Sequence, residues 1–336
     1  MYDKSPVAVI GSNSFSGASF VDYLLEHGHD VVGFSRSIEP DHVFLPYKLN
    51  QHRTANRGMF RFVQADMNQD LLLIVDTIKQ SRIDYIVNFA AQGMVAESWQ
   101  KPLHWFMTNT LAHIALHDEL RKLDFIKKYV HVSTPEVYGT CVGTIKENSC
   151  YNPSTPYAVS KAACDLSLMT FFKNYKFPVC WTRAANVYGP CQLLYRIMPK
   201  TILSIQLGKK LPLHGGGHSV RSFIHIRDVA DATMRILFDA PPGQIYHLST
   251  DRFISICDLV ALICGKMGAD FDKVVDIVGE RAGKDQAYLL DSGKARSTLG
   301  WQDNMSLEQG IDETIHWVRD NIDTLKNQTD CYIHKQ

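Results

Sequence analysis

Short, almost unbroken runs of β-branched and apolar residues alternate with amphipathic stretches from residue 7 onward. No other feature constrains the fold as strongly. Val7–Ile10, Asp30–Phe34, Arg61–Ala65, Tyr85–Phe89, Tyr129–Ser133 and Val179–Arg183 read as strands. Runs without polar alternation belong to strands covered on both faces, as parallel strands are. Between them, Phe15–Glu26, Leu71–Gln80, Asn109–Leu123 and Tyr157–Asn174 read as helices. The alternation predicts right-handed βαβ crossovers and an α/β fold, a Rossmann-type doubly wound parallel sheet.

After Arg183 the rhythm loosens, and Tyr188-Gly189-Pro190, Gly215-Gly216-Gly217 and Pro241-Pro242-Gly243 separate shorter elements. Phe223–Ile226 and Ile245–Leu248 are expected to return to the sheet. The expected organisation is a Rossmann domain over residues 1–183 plus a returning segment at about 219–250. A smaller C-terminal α/β domain comes from 184–218 and 251–322, and the polar tail 323–336 is expected to fray. Gly215–Gly217 precedes a strand rather than a helix, so it reads as a turn and not as a phosphate cradle.

Charge and cysteine usage exclude several classes of function. The 336 residues carry 35 Lys plus Arg against 35 Asp plus Glu. Neutralising a polyphosphate backbone needs a basic excess, so nucleic acid is not the expected partner. Apolar runs such as Leu71 to Val75 and Leu259 to Cys264 fall far short of the ~20 residues that span a bilayer. The start, Met1 to Pro6, lacks a positive region followed by an apolar one, so no signal peptide is expected. The eight cysteines form no CxxC pair and read as reduced thiols. A cytoplasmic protein without a membrane partner is the expectation.

Gly11-Ser-Asn-Ser14-Phe-Ser-Gly17 follows the first strand and opens the first helix. Gly11 permits a tight turn, Gly17 permits close packing of helix on strand, and Ser14 stands where a second glycine is common. The free amides at the helix start suit a dinucleotide pyrophosphate. The second strand ends Ser35-Arg36-Ser37, where an acidic residue would read the ribose of NAD. Arg36 suits a 2′-phosphate instead, which favours NADP over NAD.

Tyr157-Ala-Val-Ser-Lys161 opens the helix after the fifth strand, with both side chains on one face. An ammonium beside a phenol favours the phenolate and lowers its pKa toward working pH. Such a tyrosine can take a proton from an alcohol while the carbon gives hydride to a nicotinamide. Ser133 and Thr134 end the preceding strand, where ligands bind in open α/β sheets.

These motifs together resemble an extended short-chain dehydrogenase/reductase acting on nucleotide sugars, from Gly11 to Trp317. Ser133-Thr-Pro-Glu-Val-Tyr-Gly139 and Tyr157-Ala-Val-Ser-Lys-Ala-Ala-Cys-Asp165 resemble the nucleotide-hexose 4,6-dehydratases. Thr182 to Pro190, Val220 to Val229, Arg281-Ala-Gly-Lys-Asp285 and Leu299-Gly-Trp301 are similar to the same family. Ala90-Ala91-Gln92 and the Arg36 segment lean toward its NADP-using GDP-mannose branch. The resemblance implies a tightly bound NADP, with NAD as the alternative. It would be held by Gly11, Ser14, Phe15, Ser16, Gly17, Arg36, Asp66, Met67, Ala90, Ala91, Gln92, Asn109, Tyr157 and Lys161.

The implied chemistry makes an NDP-4-keto-6-deoxyhexose. Tyr157 would take the C4 hydroxyl proton as hydride leaves for the cofactor, with Thr134 bonding the same oxygen. Glu136 would remove the acidified C5 proton, water would leave from C6, and the hydride would return there. The dTDP-glucose enzymes carry an Asp acid just before this Glu. Here that place is Pro135, so Glu136 is expected to carry the proton on to the leaving oxygen. Thr134 and Glu136, with Asn186, Arg221 and Arg281 on the diphosphate, form the implied substrate site.

His113 and His117 share a helix face, but no Cys cluster or following Glu supports a metal site, and none is expected. Leu111, Ile114, Ala115 and Trp105 are expected to pack in the core or in a homodimer helix bundle. Rival readings are a nucleotide-sugar epimerase and a nucleotide-glucuronate decarboxylase, which typically has Arg where this chain has Ala162. A non-catalytic binder on the same fold is a third.

Overall fold

β1 (Val7–Ile10) is an interior strand of the sheet, and none of its four residues is more than 2% exposed. Val7 and Val9 enter one core with Ala18, Val21 and Leu24, whereas Ala8 and Ile10 enter another with Ile74, Ile78 and Leu116. Successive strand residues face opposite sides, so a strand apolar at every position needs helices on both faces. The computed structural model of the chain describes residues 4–51, 56–141, 143–279 and 289–334.

The other principal strands are β2 (Val31–Ser35), β3 (Phe60–Gln64), β4 (Tyr85–Asn88), β5 (Lys128–Val132), β6 (Val179–Ala184), β7 (Asn186–Tyr188), β8 (Val220–His225), β9 (Ile245–Leu248) and β10 (Phe253–Ser255). Six of them join β1 in one seven-stranded parallel sheet of order β9-β6-β5-β4-β1-β2-β3. The chain runs outward from β1 through β2 to β3, then crosses back to β4 on the other side. That reversal opens a crevice beyond the ends of β1 and β4, where ligands of such sheets bind.

The main helices are α1 (Phe15–Glu26), α2 (Leu71–Gln80), α3 (102–120), α4 (Pro156–Tyr175), α5 (Ile197–Gln206), α6 (Ile226–Phe238), α7 (Ile256–Met267) and α8 (Leu307–Asp320). α1 and α6 cover one face of the sheet; α2, α3 and α4 cover the other. α3 starts at Pro102 rather than Asn109 and carries a π-helical turn over Met107–Ala112. α4 starts where the Thr155 hydroxyl accepts from Ala158 N at 3.2 Å and Pro156 takes the first turn.

Ile245–Leu248 joins the sheet as β9, at the edge beside β6. Phe223–Ile226 does not. β8 lies in a second sheet of order β10-β8-β7, and Ile226 already starts α6. Because β9 takes the free edge of β6, the backbone groups of β8 find partners in β7 and β10 instead. α5, α7 and α8 close a separate apolar core around Met198, Ile202, Leu259, Ile263 and Ile311.

The described part of the tail, up to His334, packs against the body where fraying was expected. Leu325 is fully buried, and the His334 ring stacks on Trp105 at 5.0 Å. All eight cysteines are free thiols. Among the described residues no helix is long and apolar enough to cross a membrane.

Candidate active site

The β1–α1 turn is built for close approach. Gly11 leaves β1 with φ 82°, and a Cβ there would lie 2.6 Å from the Ala90 nitrogen. A Cβ at Gly17 would lie 2.2 Å from the Gly11 carbonyl oxygen, so both positions require glycine. The Ser14 hydroxyl accepts from Gly17 N at 3.1 Å and donates to Gly11 O at 2.7 Å, capping α1. Phe15 and Ser16 follow in the first turn of α1. Ser12 Oγ and Asn13 Oδ1 are buried beside this turn without a protein partner. The Ser12 hydroxyl can donate to a dinucleotide pyrophosphate at this helix start, whereas Asn13 Oδ1 can only accept, so the Ser12 hydroxyl and the turn fit the implied cofactor.

The remaining candidates for that site lie at the ends of neighbouring strands. Arg36 follows β2, and Asn13 ties its flanks down. Asn13 N donates to Ser35 Oγ and Asn13 Nδ2 to Ser37 O, both at 2.9 Å. Asp66 and Met67 follow β3, with Asp66 Oδ1 accepting from Asn68 N at 2.8 Å. Ala90, Ala91 and Gln92 follow β4. Asn109 Oδ1 accepts from Gln92 N at 2.7 Å, while its Nδ2 donates to Gln92 O at 3.0 Å and Ser160 Oγ at 3.1 Å. Its amide therefore clamps the β4 loop to α4.

Thr134 leaves β5, and Pro135–Tyr138 forms a single 3-10 turn that carries Glu136. The Thr134 hydroxyl bonds the Tyr157 phenol, and the charge of Glu136 acts on both Tyr157 and Lys161. Lys161 Nζ donates to Val132 O at 2.9 Å. All four candidates thus meet at the C-terminal end of β5.

The phenol is not tuned as the Tyr–Lys spacing alone predicts. Burial and then Glu136 push Tyr157 above its ordinary value, and Thr134 and Arg196 offset this only in part. Taking a phenolate out of water and placing it beside a carboxylate both disfavour it. Burial also holds the Lys161 ammonium below its ordinary value, opposed by Cys164, Asp165 and Glu136.

Several participants escaped the sequence reading. Arg196, just before α5, favours the phenolate through its charge. Asp165 accepts from Ser133 Oγ at 2.7 Å and from Arg183 Nη2 at 2.8 Å, and neither ion-pair partner is exposed to solvent. Tyr138 and Tyr151 complete the shell around Arg183, their rings 4.7 and 4.9 Å from its guanidinium carbon. The even spacing of Tyr157, Lys161 and Asp165 was the available signal for Asp165.

α3 turns His113 and His117 inward beside Leu116 and Leu120. Ala112, His113, Leu116 and His117 are buried, while Leu111 and Ala115 are exposed; of the predicted apolar face, Trp105 alone is fully buried. His113 Nδ1 donates to Thr108 O at 2.8 Å, and His117 Nε2 accepts from Tyr129 OH at 2.9 Å. Donor atoms of His117, His131 and Cys164 lie within 4.8 Å of one another beneath Lys161. Burial holds all three imidazoles far below their ordinary pKa, and His113 falls to about 3. Lys161 Nζ lies 3.5 Å from His131 Nε2.

Of the residues expected on the diphosphate, Asn186 donates through Nδ2 to Ser222 O at 3.2 Å, across β7 and β8. Arg221 lies on β8 and is half-buried. Arg281 lies outside the described residues.

A family model described as GDP-mannose 4,6 dehydratase matches residues 9–314. The chain belongs to the nucleotide-sugar 4,6-dehydratases. A dTDP-glucose 4,6-dehydratase of Streptomyces antibioticus is 32% identical over 93% of this chain and 92% of its own length. A trifunctional UDP-glucose 4,6-dehydratase/UDP-4-keto-6-deoxy-D-glucose 3,5-epimerase/UDP-4-keto-L-rhamnose-reductase of Arabidopsis thaliana is 35% identical over 78% of this chain. The match spans only 40% of that longer protein. The crystal structure of a dTDP-glucose 4,6-dehydratase from Streptomyces venezuelae, solved with NAD bound, superposes with a TM-score of 0.84 at 30% identity. It covers 94% of this chain and 97% of that one. These 4,6-dehydratases are hydro-lyases, and this chain shares their parallel sheet with its crevice.

Proposed function

We propose that the chain is an NADP-dependent nucleotide-hexose 4,6-dehydratase producing an NDP-4-keto-6-deoxyhexose. The observation that carries this reading is the meeting of Thr134, Glu136, Tyr157 and Lys161 at the end of β5. A bound nicotinamide supplies the hydride chemistry, taking hydride from C4 and giving it back at C6. Gly11, Ser14, Gly17 and Arg36 hold that cofactor, and Arg36 in the ribose-reading place favours the 2′-phosphate.

Tyr157 accepts the C4 hydroxyl proton, with Thr134 donating to the same oxygen. A ketone at C4 acidifies the C5 hydrogen, and Glu136 removes it. Pro135 offers no side-chain proton, so Glu136 delivers the same proton to the departing C6 oxygen. Asn186, Arg221 and Arg281 hold the diphosphate. A C4 epimerase moves only hydride and a hydroxyl proton, and has no use for a carboxylate facing the phenol.

Purified protein will be incubated with GDP-, dTDP-, UDP- and CDP-hexoses, each with NADP and with NAD. The expected result is loss of one water by mass, faster with NADP. A mass-neutral product overturns the reading in favour of an epimerase, and loss of carbon dioxide favours a decarboxylase. Eight reduced thiols suit the cytoplasm as its compartment.

We also propose a homodimer. Leu103, Met107 and Leu111 on α3 are exposed one turn apart, and Val159 and Leu166 are exposed on the neighbouring α4. A contiguous apolar face on two packed helices is best covered by its own copy about a twofold axis. Leu111→Glu should convert the dimer to a monomer by light scattering; a wild-type chain that is already monomeric removes the proposal.

A further inference from the structure

Lys161 is tied to β5 by two consecutive residues. Its Nζ donates to Val132 O at 2.9 Å and lies 3.5 Å from His131 Nε2. The lysine is 1% exposed and the imidazole 0%, so bulk solvent does not compete for either contact. An ammonium has three N–H donors. With two of them directed at β5, the third is left for the crevice, on the side of Tyr157.

Asp165 Oδ1 also lies 3.5 Å from His131 Nε2, yet it finds no hydrogen-bond donor among the described residues. The ring nitrogen therefore presents its lone pair to the ammonium, and the imidazole keeps its proton on Nδ1. That Nδ1 is buried without a hydrogen-bond partner among the described residues. An unpaired buried N–H is costly, and an apolar side chain would avoid the cost. The gain from a histidine at this position lies at Nε2.

The imidazole is braced by α3. His113 meets it edge-on at 5.3 Å and 86°, and His117 at 6.1 Å and 84°. His117 is fixed in turn by Tyr129 OH at 2.9 Å, and Asn88 Nδ2 donates to that phenol oxygen at 2.8 Å. Asn88 Oδ1 accepts from Ala90 N at 2.9 Å, so one buried network runs from the loop after β4 to the lysine.

We propose that His131 is a positioning residue for the reaction. It accepts from the Lys161 ammonium, keeps it charged and aims its remaining N–H at the crevice, while His113 and His117 fix the plane of the imidazole. The inference rests on the Tyr157–Lys161 pair of the dehydratase reading and adds a fully buried residue behind it. Besides Tyr129, the titratable or charged groups acting on the pair are Glu136, Cys164, Asp165, His113, His117 and Arg183. All of them stay when His131 alone is replaced, so a change at Lys161 reports the lost acceptor.

The test titrates the full chain by NMR, following the Lys161 Cε resonance and the ring-nitrogen resonances of His131. In the wild type His131 is expected neutral with its proton on Nδ1; a proton on Nε2 overturns the proposal before any variant is made. His131→Leu should weaken proton binding by Lys161 about 10-fold, the worth of a hydrogen bond to a charged group. The alkaline limb of the water-loss profile, where the ammonium is lost, should then move to lower pH. kcat should fall while KM for the hexose changes less than about twofold, since His131 does not face the substrate. His131→Gln keeps an acceptor and should return Lys161 to within about threefold of wild-type proton affinity. A lysine that titrates in His131→Leu as it does in wild type, or alike in both variants, overturns the role of His131 whatever their stability. Wild-type protein that removes no water from any NDP-hexose refutes the dehydratase reading instead, and the lysine titration still decides the contact with His131.

Discussion

Glu136→Gln is expected to lower the rate of water loss by about 10²- to 10⁴-fold, the usual contribution of a positioned acid–base group. Deuterium uptake from solvent at C5 should fall in parallel, since one carboxylate serves both steps. Oxidation at C4 should survive, and borodeuteride quenching should still place label there. The same variant carries a pH signature. The negative charge of Glu136 helps to hold the Tyr157 phenol above its ordinary value. Removing that charge lowers the phenol's pKa, so the limb of the pH profile that reports its ionisation should move to lower pH. Wild-type water loss in this variant would remove Glu136 from the reaction.

Asp165→Asn is expected to destabilise the fold by about 3–5 kcal/mol, read as a lower urea midpoint. Arg183 and Asp165 are both fully buried, and the substitution leaves a guanidinium in the interior without its carboxylate. Replacing the pair together, Asp165→Leu with Arg183→Met, should recover much of that loss, because no uncompensated charge remains. Asp165 also accepts from Ser133, which adjoins Thr134, so the double variant should regain stability without full activity. A single variant as stable as wild type would show that the ion pair does not hold the site together.

Most of the framework around the crevice was legible in the sequence. The strands from β1 to β6, the glycine turn, the start of α4 and the shared face of Tyr157 and Lys161 follow from patterns within a few residues of one another. α3 was harder to read, because histidines at its core-facing positions hid the periodicity that leucines would have shown. Arg183 and Asp165 stand on different elements, and no local pattern joins them.

The run of apolar residues in β1 and the glycines at 11 and 17 were enough to point to a doubly wound sheet with a tight turn between β1 and α1. Steric and hydrophobic constraints of that kind act locally and survive in any surroundings. The direction of the Tyr157 shift, the sheet that β8 joins and the path of the tail to α3 were decided only by tertiary structure. Each depends on which groups from distant parts of the chain remove water, supply charge or occupy a strand edge, and spacing along one element carries none of that.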